Sequence, residues 1–306
     1  MKSAPFLSYS EYLRNKYGKK VYRVSVDAGF GCPNRENGRE GFGCTYCDEA
    51  GSRAPYLGKE NSLENQIEKG IGFIRNRYGA EEFVLYFQAF SGTYGDPEKL
   101  KKLYDTALSI YPFKEFIVST RPDCVDREIT ELLASYKSHE LDVWVELGLQ
   151  SANNDILAHI RRGHTVEDFK NAYELISGAG LKRTVHLMFG LPGEKFLDIE
   201  KTCSFSADLI PDGLKIHNCT ITAGTPLSVE YTMGEYSVFH YTRFAEHVIS
   251  CLRKMPSSTV IMRLTFDTAP EKRVAPKFFL DKNKFYSYII EEMNRRGISQ
   301  GDLRGI

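Results

Sequence analysis

Val24-Ser25-Val26-Asp27-Ala28-Gly29-Phe30-Gly31-Cys32-Pro33 runs into a glycine-rich segment that closes with Gly43-Cys44-Thr45-Tyr46-Cys47. Three of the seven cysteines fall here, with eleven residues between the first two and two between the last two. They follow directly on a strand-like run. Thiols clustered this tightly bind a metal or form a redox pair. Glycines at 29, 31, 38, 41 and 43 let the loop fold tightly enough to turn all three sulfurs inward. Three thiolates on a four-iron cluster leave one iron open to another ligand. The alternative is a zinc clip, which wants a fourth Cys or His. The first histidine is His139 and the next cysteine is Cys124.

The 306 residues suffice for one large α/β domain or two ordinary ones. Lys+Arg and Asp+Glu both number 40, so no global field recruits nucleic acid or an anionic membrane, although a local basic groove remains compatible. Seven cysteines without a secretory leader predict a reducing compartment. No apolar run approaches the ~20 residues of a membrane span. The expectation is a soluble cytoplasmic protein with no membrane partner.

Residues 6–17 read as a short tyrosine-rich helix ending at Gly18, and Val21 to Val26 as the strand that delivers the cysteine loop. Ser62 caps a helix running to Tyr78, and Phe83 to Phe87 is an apolar run suited to a strand covered on both faces. The rhythm then repeats. Helices over 98–110, 126–137, 153–160, 166–178 and 197–209 alternate with strands over 115–119, 142–149, 184–189 and 213–217. Six strands alternating with helices over 20–220 predict a parallel sheet of βαβ units, and six are too few to close an eight-stranded barrel. The fold class is therefore α/β, an incomplete (βα)6 partial barrel. The organisation expected is an N-terminal helix (1–20), the barrel (21–227) and a C-terminal cap (228–306). The cap is read as a helix over 235–254, an extra strand over 260–264, a loop at 267–277 and a helix over 283–296.

Ligands in such sheets bind at the carboxyl ends of the strands, where the polar residues gather. Strand four alternates, with Trp144, Glu146, Gly148 and Gln150 on one face and Val143, Val145, Leu147 and Leu149 on the other. The apolar set faces the helices, so Glu146 and Gln150 point into the barrel. A charged Glu there needs a ligand or an internal Arg or Lys. His186 sits inward on strand five, which ends in the turn Gly190-Leu191-Pro192-Gly193. Of Arg161 and Arg162, one suffices as a ligand clamp. Cys124, Cys203, Cys219 and Cys251 read as small buried hydrophobes.

Three cysteines after the first strand, with Tyr46 immediately before the last, resemble the radical S-adenosylmethionine enzymes. Glu-Leu-Gly-Leu-Gln-Ser at 146–151, Arg-Arg-Gly-His-Thr at 161–165 and His-Leu-Met-Phe-Gly-Leu-Pro-Gly-Glu at 186–194 resemble the branch shared by Elp3-type and coproporphyrinogen-dehydrogenase-type members. Asp27 to Asn34, Tyr86 to Phe90 and the ending Arg295-Arg296-Gly297 are similar to the YhcC/YtqA-type subgroup. The resemblance covers essentially the whole chain. It implies that Cys32, Cys44 and Cys47 ligate a [4Fe-4S] cluster whose fourth iron binds S-adenosylmethionine, to be reductively cleaved to a 5′-deoxyadenosyl radical. It further implies Tyr46 near the adenine, and Gln88, Ala89 and Ser91 at the methionine amino group. Gln150 and Arg162 would meet ribose and carboxylate, with His186, Gly190 and Leu191 on the adenine side.

Three features depart from that pattern. The first cysteine spacing is long, the end of strand two lacks Gly-Gly-Glu, and Ser119 stands where relatives carry a ribose-binding Glu, a role Glu146 would take over. The Elp3-like branch implies a tRNA wobble uridine as substrate and a reductant such as ferredoxin or flavodoxin. Lys272, Arg273, Lys277, Lys282, Lys284, Arg295 and Arg296 would then hold phosphates, with Phe278, Phe279, Phe285 and Tyr286 offering stacking surfaces. The alternatives are a tetrapyrrole-like or metabolite substrate and a non-catalytic iron–sulfur protein.

Overall fold

In the computed structural model, which describes residues 4–49, 51, 57–58, 60, 62–268 and 270–304, the alternation becomes a curled parallel sheet. Its strands are β1 (Val21–Val26), β2 (Glu82–Phe87), β3 (Glu115–Thr120), β4 (Asp142–Gln150), β5 (Lys182–Phe189) and β6 (Gly213–Asn218). A short β7 (Ile221–Thr222) follows, then β8 (Val260–Arg263) and β9 (Arg273–Ala275). The seven-stranded sheet runs β1-β2-β3-β4-β5-β6-β8, all neighbours parallel, and β7 pairs antiparallel with β9. The extra strand expected over 260–264 thus joins the barrel sheet itself. A partial α/β barrel with a C-terminal part is the architecture observed.

Helices α2 (Leu63–Tyr78), α3 (Pro97–Ser109), α4 (Arg127–Ser135), α5 (Asn154–His159), α6 (Val166–Gly178) and α7 (Phe196–Asp208) connect the strands, after an N-terminal α1 (Tyr9–Tyr17). The starts of α2, α3 and α4 are set by Ser62, Asp96 and Asp126, whose side chains accept from backbone amides at the third helical residue. Val143, Val145, Leu147 and Leu149 join the core under these helices, as the alternation of β4 requires.

Two details differ from the sequence reading. A separate helix α8 (Pro226–Thr232) precedes the helix expected over 235–254, which begins only at Tyr241 as α9 (Tyr241–Lys254). Gly234, at φ +78°, breaks the first, and His240 caps the second by accepting from Thr242 N. The loop expected at 267–277, of which residue 269 lies outside the described residues, contains β9. The C-terminal α10 spans Lys282–Arg296 and ends at Gly297 in the left-handed conformation.

The sheet does not close. Its edge strands, β1 and β8, flank a seam, and the segment before α1 runs along β8, where Ile261 N donates to Leu7 O at 2.8 Å. Tyr9 and Leu13 of α1 plug the amino-terminal end of the barrel against Val84, Ile117, Trp144 and Met262. The Tyr9 hydroxyl donates to Glu115, which is fully buried. Burial lifts the Glu115 carboxyl from 4.5 to about 7, against the lowering effect of Tyr9 and Lys16. The folded chain therefore binds this proton more tightly than the unfolded chain. The resulting stabilisation is complete below the unfolded pKa and is lost as pH rises through about 7. Urea unfolding between pH 5 and 8 is expected to show a fall of up to about 3 kcal/mol from this group. E115Q is expected to remove that part of the slope, and an unchanged slope would exclude Glu115 as its source.

Candidate active site at the carboxyl ends of the strands

The loop after β1 is shaped by backbone contacts that leave no room for larger residues. Cys32 N donates to Gly38 O at 2.6 Å, and a Cβ on Gly31 would lie 3.1 Å from the Gly38 backbone. Farther on, Cys47 N donates to Cys44 O (3.0 Å), while Thr45 N donates to Ile160 O (3.0 Å) and Leu227 N to Thr45 O (2.9 Å). These bonds tie the Cys44–Cys47 turn to the end of α5 and the start of α8. Cys32, Cys44 and Cys47 consequently share one cavity, together with Tyr46. Gln88, Ser119, Gln150, Arg162 and His186 complete its wall among the residues expected there.

The other expected residues lie off that wall. Ala89 is buried, and Ser91 holds the loop ends together: its N donates to Gly31 O (3.1 Å) and its Oγ lies 2.8 Å from Thr120 Oγ1. Gly190 and Leu191 donate their N–H groups to one oxygen of Glu194, at 2.7 and 3.1 Å, and Leu191 packs in the small apolar cluster that touches Tyr46. Glu146 sits deeper in the barrel. Its Oε1 accepts from Lys215, from Tyr86 Oη (2.9 Å) and from Ser119 Oγ (3.1 Å), while Oε2 is buried with no partner in the structure. Burial opposes its charge, but Lys215 beside it prevails and holds it at about 2. Burial in turn brings Lys215 down to about 8, and the pair is ionised at neutral pH.

Strand β4 carries the sharpest local device. Its register with β5 slips between Gly148 and Gln150, and Gln150 adopts φ +70°. A bulge of this kind re-aims a side chain, here the Gln150 amide, into the cavity. Arg162, buried, donates from Nη2 to Gly148 O (3.2 Å), from Nη1 to Cys44 Sγ (3.5 Å) and from Nε to His164 Nε2 (3.0 Å). His164 Nδ1 donates to Thr165 O (3.1 Å), which leaves Nε2 as the acceptor. Burial and Arg162 push His164 down to about 3, so it stays neutral.

The sequence reading missed several groups here. Arg121 is buried in the cavity wall, bound to Asp123 by Nε and Nη2 with Nη1 unpartnered in the structure. Asn34 Nδ2 reaches Cys44 Sγ (3.5 Å), and Arg35 Nη2 reaches Cys47 Sγ (3.1 Å). Lys215 and His217 also line the cavity. A signal for these two existed: a Lys and a His two apart on an apolar strand share its inward face.

The electrostatics favour thiolate at Cys44 and oppose it at Cys47. Burial alone would raise the Cys44 thiol, but Arg162 and Arg121 with hydrogen bonds from Arg162 and Asn34 bring it below its ordinary value. Burial, reinforced by Cys44, lifts Cys47 to about 11 against the pull of Arg35. Burial also keeps His186 and His217 neutral, well below the usual imidazole value. Among the described residues no three Cys, His, Asp or Glu side chains converge on a single-ion position. Three thiols around one cavity, with guanidinium and amide donors on the Cys44 and Cys47 sulfurs, suit a polynuclear cluster. Gln150 Oε1, His186 Nε2 and Arg121 Nη1 are buried without a partner in the structure and supply unused polar capacity in the same walls.

Residues 29–206 match the radical SAM superfamily, and residues 211–295 match the radical SAM C-terminal domain. The chain belongs to the radical SAM superfamily, whose members use a [4Fe-4S] cluster and S-adenosylmethionine. Within it the chain falls with relatives of matching length. It is 32% identical to Uncharacterized protein MJ0486 of Methanocaldococcus jannaschii, over 97% of this chain and 91% of that protein. It is 30% identical to Protein YhcC of Escherichia coli, over 96% and 93%. A tRNA uridine(34) acetyltransferase of Methanocaldococcus infernus is 32% identical over 174 residues, 56% of this chain and 31% of that protein. The structure of Elp3 from the same archaeon superposes with a TM-score of 0.74 over 92% of this chain and 64% of that one, at 20% identity, a likeness of fold. Among the described residues no helix is long and apolar enough to cross a membrane.

Proposed function

We propose that this radical SAM enzyme modifies a tRNA wobble uridine, with Cys32, Cys44 and Cys47 holding the cluster and Gln150 and Arg162 holding S-adenosylmethionine. The observation that carries the site is the enclosure of all three cysteines, Gln150 and Arg162 in one cavity at the carboxyl ends of the strands. When bound and reduced, the cluster supplies the electron that cleaves S-adenosylmethionine to a 5′-deoxyadenosyl radical. The chain's own residues position and enclose. Arg162 neutralises Cys44 and offers a guanidinium toward a carboxylate, Gln150 offers a free amide oxygen to ribose hydroxyls, and Tyr46 covers the adenine. Ser119, His186 and the Gln88 end of β2 complete the enclosure, with Ala89 and Ser91 behind it at the end of β2 and Gly190 and Leu191 supporting the adenine side. A low-potential donor of the ferredoxin or flavodoxin kind supplies the electron.

The tRNA assignment rests on the similarity to the tRNA uridine(34) acetyltransferase, of whose length the chain spans about a third. The structure narrows the surface available. Phe285 is fully buried and Phe279 packs on the core, so neither offers a stacking face. Arg295 and Arg296 are engaged by Glu292 and Glu246, Lys272 by Asp48 and Lys284 by Asp281. Phe278, at 62% exposure, stays available for stacking. Anaerobic reconstitution with dithionite and S-adenosylmethionine is expected to yield 5′-deoxyadenosine, and a salt-dependent gel shift is expected with bulk tRNA. Binding that ignores salt, or none, would turn the assignment toward a small-molecule substrate.

Gly148→Ala tests the cofactor wall without touching a ligand. A Cβ there would lie 2.5 Å from Arg162 Nη2 and 2.7 Å from Gln150 Nε2, so both side chains must move. S-adenosylmethionine affinity is expected to fall about tenfold or more, roughly 1.4 kcal/mol, with the fold retained. Equilibrium binding to the reconstituted protein measures it, and unchanged affinity would remove Arg162 and Gln150 from the cofactor site.

A further inference from the structure

The seam between β1 and β8 holds cations that neither the cavity nor the core explains. Arg23 reaches across it from β1, donating from Nη2 to Met262 O at 3.4 Å, with its guanidinium 4.9 Å from the Tyr9 ring centre and 5.5 Å from that of Tyr86. Arg263, on β8 and paired in register with Lys215, places Nη1 3.4 Å from His217 Nε2. Arg23 Nη1 and Arg263 Nε are buried with no partner in the structure. Lys282, the first residue of α10, stands at the mouth of the same place. Among the described residues none of the three forms an ion pair with a carboxylate. Glu146, which lowers the energy of both guanidiniums from below, has Lys215 as its ion-pair partner. Asp267 acts on Lys282 only as the last of several influences.

These charges oppose one another. Part of Lys282 stays in solvent, yet desolvation of its amine and the repulsion of Arg263 and Arg23 push it down to about 8. Burial and Arg23 likewise push Arg263 below its usual value. Aromatic faces do not balance this. A cation over a ring gains about 0.5–2 kcal/mol, whereas a buried charge without a partner costs several. The groove leading to the seam, of about 480 Å³, is also basic: Arg14, Lys19, Lys20, Arg23 and Lys282 line it with no Asp or Glu among its described lining residues, although Lys19 is paired with Glu82 at 2.7 Å. A cluster of like charges that weakens the empty fold is characteristic of a binding site.

We propose that Arg23, Arg263 and Lys282 form an oxyanion site at the seam, built to receive a carboxylate or phosphate group. The unpartnered donors, Arg23 Nη1 and Arg263 Nε, come from the two strands that flank the seam, and Lys282 adds a mobile point charge at the entrance. His217 lines the cavity that holds the three cysteines and touches Arg263, so the seam and the active cavity meet at His217. The site stands whether or not tRNA is the substrate.

The test uses the full chain in thermal unfolding, with low-millimolar inorganic phosphate or succinate added against sodium chloride of matched ionic strength. The melting temperature is expected to rise with one or both anions and to saturate. A rise with phosphate alone assigns the site to a phosphoryl group, one with succinate alone to a carboxylate, and one with both to either. Lys282→Met, at the solvent-exposed start of a helix, and Arg263→Gln are each expected to lose most of the rise. In anion-free buffer Arg263→Gln is expected to melt no lower than the wild type, because it removes a repelling charge. No rise beyond chloride, a rise retained in both variants, or an Arg263→Gln protein that melts lower without anion would overturn the proposal.

Discussion

Cys44→Ala is expected to abolish retention of the iron–sulfur cluster and, with it, all 5′-deoxyadenosine formation. Cys44 is the most enclosed of the three loop cysteines, at 4% exposure, and its sulfur meets both Arg162 Nη1 and Asn34 Nδ2. Removing it leaves two of the three loop thiols and an unneutralised Arg162 in a buried wall. Of the remaining cysteines, Cys124 is half-buried rather than buried as expected, lies near Ser91 and Cys32, and burial pushes its thiol up to about 11. Cys203 and Cys251 are in the apolar core, and burial holds the Cys219 thiol up at about 12. Iron content and visible absorbance of the reconstituted protein measure retention directly, with Cys251→Ala as the control expected to keep both. A Cys44→Ala protein that binds a full iron complement would remove Cys44 from the ligand set and the three-cysteine reading with it.

Glu146→Gln is expected to lower stability by about 3–5 kcal/mol at pH 7. Glu146 accepts from Lys215, Tyr86 and Ser119 at zero exposure, and it is the carboxylate to which Lys215 is paired. The amide keeps the shape but forfeits the charge, so Lys215 becomes a buried cation beside Arg23 and Arg263. Urea unfolding of the two proteins gives the difference, and a loss below about 1 kcal/mol would show the pair to be energetically idle. Where E146Q remains folded at low temperature, S-adenosylmethionine affinity tests its proposed contact with ribose. A fall supports the contact, and equal affinity leaves Glu146 a positioning partner of Lys215 and Ser119.

The two predictions draw on different amounts of sequence information. The cysteine spacing, the glycines that permit the loop and the strand that delivers it are adjacent in the chain, so the metal-binding character of residues 32–47 is legible without coordinates. The same holds for the inward face of β4, because side-chain alternation is a property of any extended backbone. The partner of Glu146 is a different matter. Lys215 lies 69 residues away, and only the register of β4 on β5 and β5 on β6 brings it opposite. Gln150 was read correctly as inward, yet the bulge that aims it arises from the slip between Gly148 and Gln150 and leaves no mark that alternation alone would reveal.

The period and order of the elements, their capping residues and the clustered thiols are legible along the chain, since each depends on neighbours within a few turns. Tertiary structure alone decided which cations meet which acids. It set Arg162 and Arg121 around Cys44, spent Arg296 on Glu246, buried Phe285 while leaving Phe278 exposed, and gathered Arg23, Arg263 and Lys282 at the seam without an acid of their own. The reason is physical: local pattern tells which face of an element turns inward, but charge pairing falls off over a few ångströms and depends on register between elements far apart in the chain.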